Sequence, residues 1–293
     1  MRWCSDGDYW WNVRSVNALT LNHQSWLHIK TFVEKTLVSK ALLSTGCHVV
    51  MADHDYTSIE RVSKNLKTQN AGHHLIQCDV TNPNEVRDLI QRADEFAVQT
   101  SETSLSHEQD IVPAATLLVN CAGITRDNWF SRMELDEWDN VLDVNLKGTF
   151  LTCRQFLDQK RVDKLFPKIQ PGDAIHSRPD AAIVNIGSIV SELGNLGQVN
   201  YAASKGGVLG LSRALAKEVA IRNVRVNSVV PGFIDTPMAQ AIPANVKDRV
   251  MNQIPMKRFG TSSEIANVVS FLLSPRSGYI TGESLTVSGM ISL

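Results

Sequence analysis

The residues best suited to chemistry are Tyr201 and Lys205, which stand four positions apart in the run Tyr-Ala-Ala-Ser-Lys. On a helix this spacing puts both side chains on one face. A phenol alone titrates near pH ~10, and a nearby ammonium group favours the phenolate and lowers that pKa. The pair could therefore act as an acid/base near neutral pH. Ser188 follows an apolar run and could hydrogen-bond the same substrate oxygen.

The bare spacing does not establish catalysis, because a tyrosine on a helix is often a half-buried packing residue. The catalytic interpretation is favoured by four further motifs, taken together in their order along the chain. They are Asn120-Cys-Ala-Gly123, Asn145 in Val-Asn-Leu-Lys-Gly-Thr, Ser188 thirteen residues before Tyr201, and Pro231-Gly-Phe-Ile-Asp-Thr236.

Elements of two kinds must position these residues. Nearly continuous apolar runs predict strands buried on both faces of a parallel sheet, and helical patterns lie between them. Lys205–Arg222 has apolar residues on one helical face, and Thr261-Ser-Ser-Glu264 is typical of a capping box that opens a helix through Leu273. This alternation predicts a single α/β domain with a Rossmann-type, doubly wound parallel sheet. The predicted strands are His48–Ala52, Thr116–Asn120, Ala181–Ile186, Val224–Val230 and Ser284–Val287.

Two polar segments interrupt the alternation, Ala93–Pro113 and Asp158–Pro179. We interpret them as surface loops or extended helix ends. Asp53 closes the first predicted strand, where a carboxylate can accept hydrogen bonds from ribose hydroxyls and would repel a 2′-phosphate. This favours NAD(H) over NADP(H). The alternative is that Asp53 caps the helix expected near Tyr56–Leu66.

Composition and charge exclude several classes. With 43% hydrophobic and 20% charged residues and a net charge of -1, the chain is typical of a globular protein with no basic stripe for nucleic acid. No apolar stretch approaches the roughly 20 residues of a membrane span. The five cysteines are scattered and form no CxxC pair, so neither a disulfide framework nor a metal site is expected.

Taken together, the motifs resemble the short-chain dehydrogenase/reductase family from about residue 40 to the C-terminus. The resemblance implies that Tyr201 protonates a carbonyl, Lys205 lowers its pKa and holds the nicotinamide ribose, and Ser188 polarises the carbonyl. It further implies that Asn145 supports a water-linked proton relay. The remaining residues implied to bind the cofactor are Asp53, Asp79, Val80, Asn120, Ala122, Gly123, Pro231, Gly232, Ile234 and Thr236.

Four segments narrow the resemblance: Asn120–Thr125, Ser188–Val190, Gly194–Lys205 and Ser277–Gly282. They are similar to the 3-oxoacyl-[acyl-carrier-protein] reductase branch, and within it to the 17-beta-hydroxysteroid dehydrogenases. That branch implies 3-oxoacyl reduction in fatty acid biosynthesis, or 17-beta-hydroxysteroid oxidation, with NAD(H). It also implies a homo- or heterotetramer with a related reductase subunit and a location in the mitochondrial matrix. The N-terminal residues have neither the basic, acid-free character of a transit peptide nor an apolar signal core, so a cytoplasmic location stays open.

The N-terminus departs from this family. Relatives begin with a strand and a turn of the form Thr-Gly-x-x-x-Gly-x-Gly, whose bare backbone lets a pyrophosphate approach a helix N-terminus. Residues 1–45 contain one glycine, Gly7, and Leu21–Lys30 matches no such turn. We therefore expect residues 1–30 to be an atypical segment lacking the first strand, and residues 31–293 to form the domain.

Three interpretations of this departure remain open. The N-terminus can be an alternative one grafted onto a genuine enzyme, the chain can bind the cofactor weakly through other contacts, or it can be a non-catalytic subunit. If the central strand were missing, its neighbours would have unpaired backbone groups, and the chain would be marginally stable.

Overall fold

The computed structural model describes residues 25–29, 34–44, 46–64, 66, 72–101, 114–170, 181–236 and 244–291. Seven parallel strands form one sheet in the order β3-β2-β1-β4-β5-β6-β7. The chain therefore winds outward in two directions from the point between β1 and β4, as the α/β, Rossmann-type prediction requires. The strands are β1 Ser25–Ile29, β2 His48–Asp53, β3 His73–Gln77, β4 Ala115–Asn120, β5 Ala181–Ile186, β6 Val224–Pro231 and β7 Ser284–Val287.

The prediction that the first strand is missing is wrong. Ser25–Ile29 forms β1 at the centre of the sheet and pairs with β2 on one side and β4 on the other. Its sequence, Ser-Trp-Leu-His-Ile, is not a continuous apolar run, and no glycine turn follows it to mark a strand end. Because β1 pairs on both sides, the expectation of marginal stability from unpaired neighbouring strands no longer holds.

Helices cover both faces of the sheet. One apolar cluster includes Val38 and Leu42 with Ile265 and Val269, and the other includes Leu89 and Phe156. In β4 and β5 successive apolar residues belong alternately to the two clusters, so both strands are mostly apolar on both faces. The helices are α1 Glu34–Ser44, α2 Tyr56–Lys64, α3 Pro83–Ser101, α4 Leu135–Leu142, α5 Gly148–Phe156, α6 Gln159–Leu165, α7 Val190–Leu193, α8 Val199–Val219, α9 Ala244–Gln253 and α10 Ser262–Leu273, with a π-helical turn at Asp143–Lys147 between α4 and α5.

The predicted strands are confirmed with ends shifted by at most one residue, whereas α8 begins at Val199, six residues before the predicted helical segment at Lys205. The predicted capping box opens α10: Thr261 Oγ1 accepts from the Glu264 N–H at 3.3 Å, and Glu264 Oε2 accepts from the Thr261 N–H at 2.7 Å. Hydrogen bonds from Arg258, followed by those from Thr261, lower the pKa of Glu264 to about 2. The polar segment Ala93–Pro113 starts within α3, which continues to Ser101, and the polar segment Asp158–Pro179 contains α6. Residues 102–113 and 171–180 lie outside the described parts.

A buried arginine joins β6 to the end of α10. Arg225 is 4% exposed, and its guanidinium donates to the Leu272 carbonyl at 2.6 Å, the Leu273 carbonyl at 3.3 Å and the Ser277 hydroxyl at 2.7 Å. The last carbonyls of a helix have no intrahelical donors and carry its negative dipole end. Arg225 therefore both caps α10 and fixes it against the sheet.

We expect Arg225→Met to destabilise the fold, since it removes a charge that satisfies several buried carbonyls. Hydrogen bonds to charged groups are worth about 1.5–3 kcal/mol each, so a total loss of about 3 kcal/mol is expected. At this chain size such a loss lowers Tm by roughly 6–12 °C. The control is Arg213→Met, which changes an exposed arginine bonded to Ser284 at 3.3 Å. Equal melting temperatures for the two variants would contradict the assignment.

Candidate active site

The predicted site residues lie at one edge of the sheet. Asp53 ends β2, Asn120 ends β4 and Pro231 ends β6, while Asp79 and Ser188 follow β3 and β5 by two residues. Because all these strands are parallel, their carboxyl ends share one edge. That edge flanks the point between β1 and β4 where the winding reverses, which is where ligands bind in open α/β sheets.

Asn145 lies inside the π-helical turn Asp143–Lys147 and is fully buried. Its Oδ1 accepts from the Ile124 N–H at 2.8 Å, and its Nδ2 donates to the Ile124 carbonyl at 3.0 Å. Nδ2 also donates to Ser204 Oγ at 3.0 Å. The carboxamide thus ties the loop after β4 to helix α8. A π-helical turn within a helix is frequently found at functional sites.

Helix α8 carries Tyr201 and Lys205 one turn apart. Lys205 is 4% exposed, and its Nζ donates to the Ile186 carbonyl at 2.8 Å. The same Nζ lies 5.9 Å from the centre of the Tyr201 ring. Tyr201 is partly buried and packs against a small apolar cluster that contains Ile189. The structure therefore brings the tyrosine and the lysine together at the end of β5.

Gly123 shows how closely these groups approach. A Cβ atom at this position would lie 3.2 Å from Lys205 Nζ and 3.4 Å from Asn145 Oδ1. A side chain here would be crowded against the Lys205 ammonium group, while its distance to Asn145 Oδ1 would be an ordinary contact. Gly123, Asn145 and Lys205 thus form one tight group, which joins residues from three of the motifs.

Ser188 stands two residues beyond β5 and is partly buried. Its Oγ accepts from the Val190 N–H at 3.2 Å, at the start of the short helix α7. Its neighbour Ile189 belongs to the apolar cluster that packs against Tyr201. Ser188 is therefore adjacent in the chain to the cluster against which Tyr201 packs.

Asp53 is 1% exposed at the end of β2. Its Oδ1 accepts from the Asp55 N–H at 2.9 Å and lies 2.9 Å from His54 Nδ1. The helix cap considered for Asp53 belongs instead to Asp55, whose Oδ1 accepts from the Thr57 N–H at 3.1 Å and the Ser58 N–H at 3.4 Å. Hydrogen bonds, led by that of the Thr57 side chain, lower the pKa of Asp55.

The other residues predicted to bind the cofactor differ in the contacts that their side chains make. Asp79 Oδ1 accepts from the Thr81 N–H at 2.9 Å and Thr81 Oγ1 at 2.8 Å. Val80 is buried against Gly148. Asn120 is buried, and its Nδ2 donates to Asn185 Oδ1 at 2.8 Å. Asn120 Oδ1 also accepts from Thr152 Oγ1 of α5 at 2.8 Å, so the Asn120 side chain is fully used between β5 and α5 and its backbone is the part that can face a ligand.

The segment after β6 closes the far end of the site. A Cβ at Gly232 would lie 2.8 Å from the Ser288 Cα, so the backbones of two segments nearly touch there. Ile234 is buried and forms an isolated parallel bridge with Gly260. Thr236 is the last described residue before the gap at 237–243.

Comparison with known proteins identifies the family. A family model described as "Enoyl-(Acyl carrier protein) reductase" matches residues 36–290. The chain is 41% identical over 217 residues to a (3R)-3-hydroxyacyl-CoA dehydrogenase of Canis lupus familiaris, covering 74% of this chain and 73% of that protein. The chain belongs to the short-chain dehydrogenase/reductase family.

Further relatives of this short-chain dehydrogenase/reductase support the same family assignment. A 3-oxoacyl-[acyl-carrier-protein] reductase FabG of Staphylococcus epidermidis is 39% identical over 230 residues, which cover 78% of this chain and 82% of that protein. A (3R)-3-hydroxyacyl-CoA dehydrogenase of Homo sapiens is 36% identical, with 86% and 88% covered. A solved glucose/ribitol dehydrogenase of Brucella melitensis has a TM-score of 0.75 at 25% identity, with 92% and 97% covered.

Short-chain dehydrogenases/reductases bind a nicotinamide cofactor, and the carboxyl edge of the sheet has residues of the kind that such a cofactor needs. Asp53 ends β2, where an acidic side chain can accept hydrogen bonds from ribose hydroxyls, and Gly123 has no side chain to fill the space beside Lys205. A glycine-rich turn that could bind the diphosphate is not recognisable in the sequence. Strand β1 ends at Ile29 and α1 begins at Glu34, and the four residues between them, Lys-Thr-Phe-Val, include no glycine. Residues 30–33 fall outside the described parts.

Two searches of the described residues gave negative results. None of their helices combines the length and apolar character needed to cross a membrane. Within the same parts of the chain, no three His, Cys, Asp or Glu side chains are grouped so as to hold a metal ion.

Sequence reasoning missed two buried hydrogen-bonded links, one between the sheet and helix α8 away from the reacting groups and one beside Tyr201 and Lys205. Asn185 in β5 links Asn120 to helix α8, because its Nδ2 donates to Ser212 Oγ at 2.8 Å. Ser204, between Tyr201 and Lys205, bonds to Asn145. The available signal was a polar residue at each position inside an otherwise apolar strand or helix face, since buried polar groups are nearly always hydrogen-bonded.

Proposed function

We propose that the chain interconverts a carbonyl and a secondary alcohol by hydride transfer with NAD(H), and that its substrate is a 3-oxoacyl thioester. The observation that carries the proposal is the tight group of Lys205, Tyr201, Asn145 and Gly123 at the carboxyl edge of the sheet. The names of relatives, 3-oxoacyl-[acyl-carrier-protein] reductase and (3R)-3-hydroxyacyl-CoA dehydrogenase, support the thioester as substrate.

The residues have separate roles in this proposal. The reduced nicotinamide supplies the hydride. Tyr201 donates a proton to the carbonyl oxygen as that oxygen gains negative charge, and Ser188 donates a hydrogen bond to the same oxygen. The Lys205 ammonium group, fixed by the Ile186 carbonyl, favours the phenolate that Tyr201 becomes. Asn145 holds the loop and helix on either side of the path by which the proton is replaced.

In this proposal the cofactor lies along the carboxyl ends of the strands. The adenosine part lies near Asp53, Asp79 and Val80 and along the backbone from Asn120 to Gly123. The nicotinamide part lies near the segment after β6. That segment supplies Pro231, Gly232, Ile234 and Thr236.

NAD(H) is preferred over NADP(H) in this proposal because Asp53 would accept hydrogen bonds from the ribose hydroxyls and repel a 2′-phosphate. We expect Asp53→Ala to weaken NADH binding by roughly tenfold and to narrow the gap to NADPH, as one or two charged hydrogen bonds are lost. The measurement is the Kd of both cofactors. The control is Asp55→Ala, which removes the cap of α2 and should leave the ratio unchanged. A parent protein that already prefers NADPH would contradict the assignment.

A steroid is the second candidate substrate, from the resemblance to 17-beta-hydroxysteroid dehydrogenases. The deciding assay follows NADH consumption with acetoacetyl-CoA and NADH formation with estradiol in parallel. Turnover of the thioester above that of the steroid supports the first substrate, and the reverse order supports the second. No turnover of either would overturn the proposed function.

A non-catalytic subunit of an oxidoreductase heterotetramer is the competing function, and the absence of glycine between β1 and α1 favours it. In either case the proposal includes assembly with a related reductase subunit in the mitochondrial matrix, as the branch resemblance implies. An apolar depression lined by Leu142, Leu146, Phe150 and Leu211 supports assembly, since Phe150 is 44% exposed.

A further inference from the structure

Two buried serines on helix α8 have the same hydrogen-bond pattern. Ser204 Oγ accepts from Asn145 Nδ2 at 3.0 Å and donates to the Tyr201 carbonyl at 2.8 Å. Ser212 Oγ accepts from Asn185 Nδ2 at 2.8 Å and donates to the Val208 carbonyl at 2.7 Å. Both serines are essentially inaccessible to solvent. The pair differs in position, because only Ser204 lies between Tyr201 and Lys205.

The Ser204 hydroxyl determines how the Asn145 carboxamide is held. That carboxamide makes three hydrogen bonds, two to the backbone of Ile124 and one to Ser204. Without the Ser204 hydroxyl, the Asn145 N–H that now donates to it would stay buried and would lose this acceptor. An unsatisfied buried donor is costly, so the carboxamide would rotate or the turn around it would shift.

Such a shift would reach the reacting groups directly. Asn145 Oδ1 is close to Gly123, where a Cβ would lie 3.4 Å from it and 3.2 Å from Lys205 Nζ. Ser204 also bonds the carbonyl of Tyr201 itself. Its hydroxyl therefore links the backbone of the proton donor to the turn that holds Asn145.

We propose that Ser204 is a positioning residue, which orients Asn145 relative to Tyr201 and so sets the efficiency of proton delivery to Tyr201. This inference rests on the proposed function, in which Tyr201 gives up a proton in each reduction. Ser204 itself touches neither substrate nor cofactor. Its effect should appear in kcat and its pH dependence and should leave cofactor binding unchanged.

The test compares Ser204→Ala with Ser212→Ala. Both remove a buried hydroxyl that accepts from an asparagine, so both should lower Tm by a similar amount. For Ser204→Ala we expect kcat to fall about tenfold, less than the 10²–10⁴-fold expected for loss of the proton donor itself, because Tyr201 is kept and only its positioning is disturbed. We also expect a changed pH profile of kcat and an unchanged KM for NADH. Ser212→Ala should keep the wild-type kcat and pH profile.

Ser204→Thr, which keeps the hydroxyl, should restore most of kcat and the wild-type pH profile. Wild-type kcat and pH profile in Ser204→Ala would overturn the inference. The same kcat loss in Ser212→Ala would also overturn it, because helix destabilisation alone would then explain the effect.

A second measurement separates this inference from the proposed function. If the wild-type chain shows no turnover, the proposed function fails, and hydrogen exchange of the Ile124 amide then tests Ser204. That amide donates to Asn145 Oδ1, so Ser204→Ala should speed its exchange while Ser212→Ala should not. Unchanged exchange in both variants would overturn the positioning role.

Discussion

Tyr201→Phe is expected to abolish NADH-dependent reduction of acetoacetyl-CoA while leaving the fold intact. The variant keeps the ring that packs near Ile189 and loses the hydroxyl that would protonate the carbonyl. Loss of a general acid lowers the rate by about 10²–10⁴-fold. The decrease should appear in kcat, since the phenol acts when negative charge develops on the oxygen. Initial rates at saturating NADH, with a thermal melt to check folding, give the result.

The matched control is Tyr279→Phe, which removes the hydroxyl of a fully exposed tyrosine. Its activity should equal that of the wild type. If a correctly folded Tyr201→Phe variant turned over near the wild-type rate, Tyr201 would not be the proton donor. The assay should be repeated on a chain in which a glycine-rich turn replaces the connection between β1 and α1, so that weak cofactor binding does not mask the chemistry.

Replacing the connection between β1 and α1 with the family's Thr-Gly-x-x-x-Gly-x-Gly turn is expected to raise NADH affinity by at least about tenfold. A pyrophosphate needs several backbone N–H donors with no side chains in the way, and each charge-assisted hydrogen bond is worth about 1.5–3 kcal/mol. The natural connection, Lys-Thr-Phe-Val, has no glycine. Titration of NADH fluorescence on both chains measures the difference.

A graft of equal length with alanine at each glycine position is the control, and it should bind NADH no better than the natural chain. Because β1 is present in the natural sequence, the graft should change Tm far less than it changes affinity. Equal affinity of grafted and natural chains would contradict the prediction, and would mean that residues 30–33 supply a phosphate site of another kind.

The parts of the fold that follow from local pattern could be predicted from the sequence. The inner strands β4, β5 and β6 are buried on both faces, so each is a nearly continuous apolar run. The α10 capping box is a local exchange of two hydrogen bonds, and its four-residue signature is visible in the sequence. The Tyr-Ala-Ala-Ser-Lys spacing likewise predicted that Tyr201 and Lys205 lie on one face of a helix.

Other parts depend on partners far away in the chain. The edge strand β3, His-His-Leu-Ile-Gln, has one fully buried residue, so no apolar run marks it. Strand β1 is mixed in polarity and is defined by its pairing with β2 and β4. The bond between Asn145 and Ser204 joins residues 59 positions apart. Neither spacing nor propensity could indicate these three features.

The central position of β1 has a consequence for how the chain folds during synthesis. In the described sheet, β1 is the strand that joins the β2–β3 pair to the block of β4, β5, β6 and β7. It is also the first of these strands to leave the ribosome, yet its second neighbour, β4, is made only after α1, β2, α2, β3 and α3. Until then one edge of β1 lacks its partner strand, and an open strand edge is a template for pairing with other chains. Pairing with β2 therefore protects only one edge of β1 in the nascent chain, and the other edge stays open to pairing with other chains until β4 is synthesised.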